Sequence, residues 1–231
     1  MTMGRERSRS VGRPARISRE DIADAALEIG LHAATVKTIA GRLGVDHSSL
    51  YRHVKGRDDI VFAAADRAIA TLDWERETDD WRDYIHAAAE AVWELYNCNP
   101  GLAAAMRNMD KTPPAGIRAF SRACRYLEAE GFDTEDAALI MDSVMDMTSD
   151  SASMWERLRR EDADGTIAER LKASWQSGAD DQTAAHVRVM GAVIEGNPKD
   201  WWRKKLLLLI GGAATLLETR SSGSNTSQKE K

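Results

Sequence analysis

Cysteine is scarce in this sequence: two residues in 231, Cys98 and Cys124, are too few for a disulfide framework. Reduced thiols in a cytoplasmic protein are the simpler expectation. Long apolar runs are missing too. "LLLLI" at 206–210 falls far short of the roughly 18 residues that cross a bilayer, and "MTMGRERSRS" is charged with no apolar segment behind it, unlike a signal peptide. Enzyme motifs are also lacking. There is no glycine-rich phosphate loop, HExxH, paired cysteine ligands or Gly-x-Ser-x-Gly elbow, and His32, His47, His53, His86 and His186 show no two-histidine metal spacing. His86, near Asp83 and Glu90, comes closest to an acid–base group, but a satisfied or exposed histidine is far commoner. No catalytic role, cofactor or metal is therefore expected.

A net positive charge is lacking as well, since the chain carries −5 overall, but the charge is unevenly placed. Residues 1–57 hold eleven Lys or Arg against six Asp or Glu, a balance of 11 − 6 = +5, so the remainder carries −10. A basic leading piece on an acidic body points to a polyanionic partner for that piece alone. The arm at 1–17, rich in Arg with Gly, Ser and Pro, cannot bury a core and is expected to be disordered by itself.

Three short helices follow. Ser18 and Asp21 make a capping box for the first, with Ile22, Ala26 and Ile29 at i, i+4 and i+7 and Gly30 as its stop. Thr35 caps the second, whose apolar face is Val36, Ile39, Ala40 and Leu43, and Gly44 ends it in a left-handed turn. Asp46 caps the third, His47 to about Val54, seated by Leu50 and Val54. Two short helices joined by Gly-Val-Asp form a helix-turn-helix, whose second helix suits the major groove of duplex DNA. Its first turn, His47, Ser48 and Ser49, would approach base edges, and its free amides also suit a phosphate. Tyr51, Arg52, His53, Lys55 and Arg57 have the reach for flanking phosphates, and Lys37 for a phosphate or a guanine. Tyr51 and His53 have a second reading, as packing residues of the three-helix unit.

The run "TVKTIAGRLGVDHSSLYRHVKGRDDI" resembles the DNA-binding domain of TetR-family transcriptional repressors, including the family's Leu-Tyr-x-His-(Val/Phe) followed by a basic residue. The resemblance spans residues 12 to about 65. It implies base or phosphate contacts from Lys37, His47, Ser48, Ser49 and Tyr51, and phosphate contacts from Thr35, Arg52, His53, Lys55 and Arg57. It further implies a ligand-responsive homodimer on an operator in double-stranded DNA. One departure stands out: "ALEIGLHAAT" is about four residues shorter than the family pattern. That is one helical turn, which keeps the buried face in phase but is expected to weaken packing against the fourth helix.

That helix, about 58–72, joins the reader (18–72) to a larger unit at 73–220, with a disordered tail expected at 221–231. The larger unit reads as helices throughout, so the fold class is all-α: an N-terminal helix-turn-helix domain followed by a larger helical ligand-binding and dimerisation domain. Two late helices suggest association with a second copy: 134–160, with the stripe Met141, Val144, Thr148, Ser151 and Trp155, and the final helix from Pro198, apolar on nearly every side. Trp93, Tyr96, Met106, Met109, Met145 and Trp155 are candidates for lining the pocket of a small-molecule inducer, with plain core as their second reading. Asp142, Asp146 and Asp150, at i, i+4 and i+8, read as a solvated face before a cation site. A helical protein–protein interaction module is the alternative function, but it leaves the helix-turn-helix unexplained.

Overall fold

The computed structural model describes residues 17–75 and 78–227, with side chains through Thr219. The expected basic arm, apart from Ile17, lies outside the described residues. Eleven helices and one small hairpin make up those residues. The reader contains α1 (Arg19–Ile29), α2 (Val36–Leu43), α3 (His47–Leu50) and α4 (Arg57–Ile69). The body contains α5 (Trp81–Cys98), α6 (Leu102–Arg107), α7 (Pro114–Ala129), α8 (Thr134–Leu158), α9 (Ile167–Ser177), α10 (Ala184–Glu195) and α11 (Pro198–Ser227). Strands β1 (Glu161–Asp162) and β2 (Gly165–Thr166) pair antiparallel between α8 and α9, the one feature outside the all-α expectation.

Local chemistry sets the first boundaries where the sequence placed them. Ser18 and Asp21 form the reciprocal capping box of α1; Thr35 pairs in the same way with Thr38 at the start of α2. Inside the reader, Ile22, Ala26, Ile39, Leu50 and Ile60 are wholly buried. Burying a Leu or Ile of this kind stabilises the fold by roughly 1.5–3 kcal/mol. The shortened junction after α1 does not loosen the domain: α1 and α4 form the most extensive helix pair among the described residues. Arg67 of α4 donates from Nε to Asp24 Oδ1 at 2.8 Å, and Arg19 pairs with Asp59, so both ends of the pair are pinned. Those charged pins lie outside the apolar stripe and were not part of the sequence expectation.

The reader's core does not stop at its boundary. It continues through Ala68 and Ile69 into Leu95, Leu102, Ala115 and Ala119 of the body. Asp66 Oδ1 accepts the Ala115 amide at 2.6 Å, fixing α4 to the start of α7. At the opposite corner Glu156 of α8 meets His32 Nε2 at 2.5 Å and accepts the Gly101 amide at 2.9 Å. Gly101 needs to be glycine there: its φ is +90°, and a Cβ would stand 3.1 Å from the His32 ring.

A second core fills the body around α8. The stripe Met141, Val144, Thr148, Ser151 and Trp155 is buried inside the chain, against neighbouring helices α5, α7 and α11, which corrects its assignment to association with a second copy. Both buried hydroxyls of that stripe have partners: Thr148 Oγ1 donates to Val144 O and accepts Trp202 Nε1–H at 3.1 Å, and Ser151 Oγ accepts from Lys205 Nζ at 3.4 Å. On α11, Trp202, Leu206, Ile210 and Ala213 face inward, while Leu207 and Leu208 are 61% and 78% exposed. Glu90 of α5 anchors the helix start. It lies 2.8 Å from Lys199 Nζ and 2.6 Å from Arg203 Nε, and these bonds outweigh the effect of burial and hold its carboxyl below the usual range. The helix runs to Ser227, so the expected tail begins inside it.

Candidate nucleic-acid interface

The turn between α2 and α3 is built as its residues dictate. Gly44 adopts φ 66°, ψ 31°, and Val45 donates back to Ala40 O at 3.0 Å, closing α2. Asp46 then receives the Ser48 amide at 2.8 Å. The Ser48 hydroxyl and amide together hold the Asp46 carboxyl below its ordinary range. Of the amides expected to be free for a phosphate, that of Ser48 is therefore taken by the cap. The Ser48 hydroxyl is engaged as well, leaving its lone pairs to accept.

The regular part of α3 is one turn, His47–Leu50; residues 51–53 continue as a turn rather than as helix to Val54. Leu50 and Val54 are nevertheless both buried and seat the segment as expected. His47 projects outward with Nδ1 3.8 Å from Asp46 Oδ1. Tyr51 is 55% exposed, which removes its packing alternative. His53 is half-buried and its carbonyl accepts Arg19 Nη1–H at 3.1 Å. Thr35 is exposed beside Lys37, its hydroxyl occupied by the α2 cap.

The cations of the reader divide into two sets. Arg19 binds Asp59; Arg42 binds Glu28; Arg67 binds Asp24; Arg57 donates to Leu31 O at 2.9 Å. Lys37, Arg52 and Lys55 are exposed, and their side chains have no partner among the described residues. All three lie in or beside the helix-turn-helix. Arg57, from which a phosphate contact is expected, is exposed and places one Nη2–H on the carbonyl at the α1–α2 corner, with its other donors unassigned among the described residues. What the sequence did not show is the clamp behind the recognition segment. Asp59 takes Arg19 on both oxygens and the Lys55 amide at 3.0 Å, and the Arg19 bonds hold its carboxyl below the usual range. Arg19 reads in sequence as one more arginine of the arm.

The body contains a mostly apolar cavity of about 410 Å³ between the end of α4 and helices α5 to α8. Of the inducer candidates, Tyr96, Met106 and Met145 line it. Trp93 and Trp155 instead border a smaller cavity of about 260 Å³ that shares Tyr96, and Met109 borders the cleft between reader and body. Trp93 stacks on Trp202 with centroids 4.7 Å apart, which makes it mainly core. Sequence reading missed Ile69, Leu72, Trp74 and Phe120 in the wall of the large cavity. Trp74 Nε1 is buried without a partner among the described residues, an unusual state for an indole N–H.

No family model matches the chain. Among curated proteins it is 25% identical over 197 residues to the tetracycline repressor protein class C of Escherichia coli, covering 79% of this chain and 84% of that one. It is 26% identical over 165 residues to an HTH-type transcriptional regulator of Saccharopolyspora erythraea, covering 68% and 70%. Apo ActR from Streptomyces coelicolor superposes with a TM-score of 0.74 at 20% identity, over 89% of this chain and 99% of that chain. In sequence and in fold the chain is similar to TetR-family regulators of transcription. A putative transcriptional regulator from S. coelicolor A3(2), 25% identical, superposes with a TM-score of 0.64 over 86% of this chain and 97% of that one. These relatives are regulators of transcription rather than enzymes.

Proposed function

We propose that this TetR-like protein is a dimeric repressor that reads an operator in duplex DNA and leaves it when a small molecule occupies the apolar cavity. The observation that carries the reading is the division of cations. Among the described residues, every other Lys or Arg of the reader is matched to a carboxylate or carbonyl, and Lys37, Arg52 and Lys55, around α3, are left for phosphates outside the molecule. In this arrangement His47, Ser48 and Ser49 face base edges, Lys37 a guanine or phosphate, and Thr35, Tyr51, Arg52, His53 and Lys55 the backbone. The second copy packs on the outward side of α11, where Leu207, Leu208, Gly211 and Gly212 are exposed; Val189 of α10 is exposed as well. A twofold dimer of this sort presents two α3 segments to half-sites one turn of DNA apart. The site of action is the cytoplasm, in keeping with unpaired Cys98 and Cys124.

Coupling runs through α4. Its carboxyl end, Ile69, is part of the cavity wall, and its amino end carries Asp59, which holds Arg19 and the Lys55 amide behind the reading segment. Thirteen residues make a lever about 20 Å long. A ligand that binds one tilt of this lever better than the other shifts the population by its differential affinity and no more. ActR, which shares this architecture, has been crystallised with actinorhodin and with (S)-DNPA, which supports a ligand role for the same fold. Selection of bound fragments from a random duplex pool tests the proposal. The expected result is a dyad-symmetric site with half-sites one turn apart. Recovery of no preferred sequence would overturn it.

A further inference from the structure

The cavity that borders Ile69 has a chemistry of its own. Three aromatic side chains, Trp74, Tyr96 and Phe120, and three thioethers, Met106, Met141 and Met145, contribute to its wall. Among the described residues no Lys, Arg or His does. The one charged residue in the lining is Asp142. Asp142 has no cation partner among the described residues, and neither has Asp146 one turn further along α8. The nearest available cation on α6, Arg107, is already paired with Asp150. Asp146 also reaches the cavity electrostatically. The Tyr96 hydroxyl is pushed up chiefly by burial, and the field of Asp146 adds to that shift.

An anion placed against this wall would meet the unneutralised Asp142 carboxylate, with the field of Asp146 behind it and no compensating cation among the described residues, at a cost that grows as water is excluded. A cation meets the reverse: a carboxylate at the rim, and aromatic side chains of the kind that attract quaternary and protonated amines through the negative faces of their rings. We infer that the cavity takes a lipophilic cation, a quaternary ammonium or protonated-amine compound with an apolar body, and that Asp142 selects its charge. The inference rests on the ligand-responsive reading above and adds to it the class of ligand.

The test uses two ions matched in size and shape and opposite in charge. Full-length protein is titrated calorimetrically with tetraphenylphosphonium and, separately, with tetraphenylborate, in the absence of DNA. The phosphonium is expected to bind at least tenfold tighter than the borate. Asp142→Asn, an exposed and nearly isosteric change, is expected to lower the phosphonium affinity by about tenfold, the order expected for one close charge pair in a partly shielded site. Gly116→Leu is expected to abolish binding, because a Cβ at Gly116 lies 3.5 Å from Thr112 and 3.8 Å from Ile69 and directs the side chain at the cavity wall. A melting curve confirms that this variant folds. Borate binding as tight as phosphonium, an unchanged affinity in Asp142→Asn, or no binding of either ion would each overturn the inference. Because no DNA is present, any of these results leaves the operator reading standing, and a failure of operator binding leaves the titration intact.

Discussion

Removing one unpaired cation from the reader should change how operator binding responds to salt, while removing a paired one should not. Lys37, Arg52 and Lys55 leave three phosphate-seeking cations per protomer and twice that in a dimer. If each neutralises one phosphate, they account for a slope of log K against log salt of about −5, from about −0.9 per contact; arginines of the leading arm add to the total. Differences between variants are therefore the safer quantity. Lys55→Ala deletes two contacts per dimer and should make the slope shallower by about 2. Between 50 and 200 mM salt the variant and the parent should then converge by roughly tenfold in affinity. Arg42→Ala removes a cation that already sits 2.5 Å from Glu28 and should leave the slope where it was. Fluorescence anisotropy of a labelled operator across a salt series measures all three. An unchanged slope for Lys55→Ala, or an equal change for Arg42→Ala, would refute the division of cations on which the functional reading stands.

Leu208→Glu should convert the dimer to a monomer that keeps its helix content, since the side chain is 78% exposed, whereas Leu206→Glu, two residues earlier and wholly buried, should unfold the body; sedimentation velocity with circular dichroism separates the two. Asp59 carries a depressed pKa in the folded state, so its contribution is fully present above the unfolded value of about 3.9 and is lost as pH falls through the lower folded value. Arg19→Met should therefore flatten the acid limb of the stability curve below about pH 4, by no more than about 1 kcal/mol for so open a pair. Gly44→Ala meets no atom within 4 Å but must hold φ near +66°, so it should cost about 1–2 kcal/mol in denaturant unfolding and leave operator preference unaltered.

Features written into short stretches of sequence were legible. Ser18 with Asp21, Thr35 ahead of Val36, Gly44, and Asp46 before His47 each need only a few neighbours to define a helix end, and each stands where those neighbours put it. The last helix reads in sequence as apolar on nearly every side, so its inward positions were not legible there; the structure buries Trp202, Leu206, Ile210 and Ala213. What the body does with its apolar stripes was not legible either. Met141 to Trp155 on α8 has the composition of a dimer face, but the stripe meets α5, α7 and α11, and only the arrangement of those helices decides which apolar face remains uncovered. Helices α9 and α10 fall within the stretch that reads as helical throughout, but neither has bounds of its own in that reading. Helix α9 has Ile167, Leu171 and Trp175 at helical spacing but buries none of them fully.

The site itself turns on the same distinction. Arg19, Arg42 and Arg57 are the same kind of residue as Arg52 in sequence, and three of the four lie in or next to the stretch that reads as a DNA-binding surface. Their roles separate only when their partners are known, and those partners are 40, 14 and 26 residues away along the chain. A cation already bound to a carboxylate gains little from a phosphate, because it must first give up the pair it has. Affinity for DNA on this reader is therefore set less by how many basic residues it holds than by which of them its own acidic residues leave unsatisfied. By the same logic, acidic residues such as Glu28 and Asp59 belong to the interface although they never touch it: replacing Glu28 with Gln would free Arg42 and should raise affinity for any duplex without sharpening the choice among sequences.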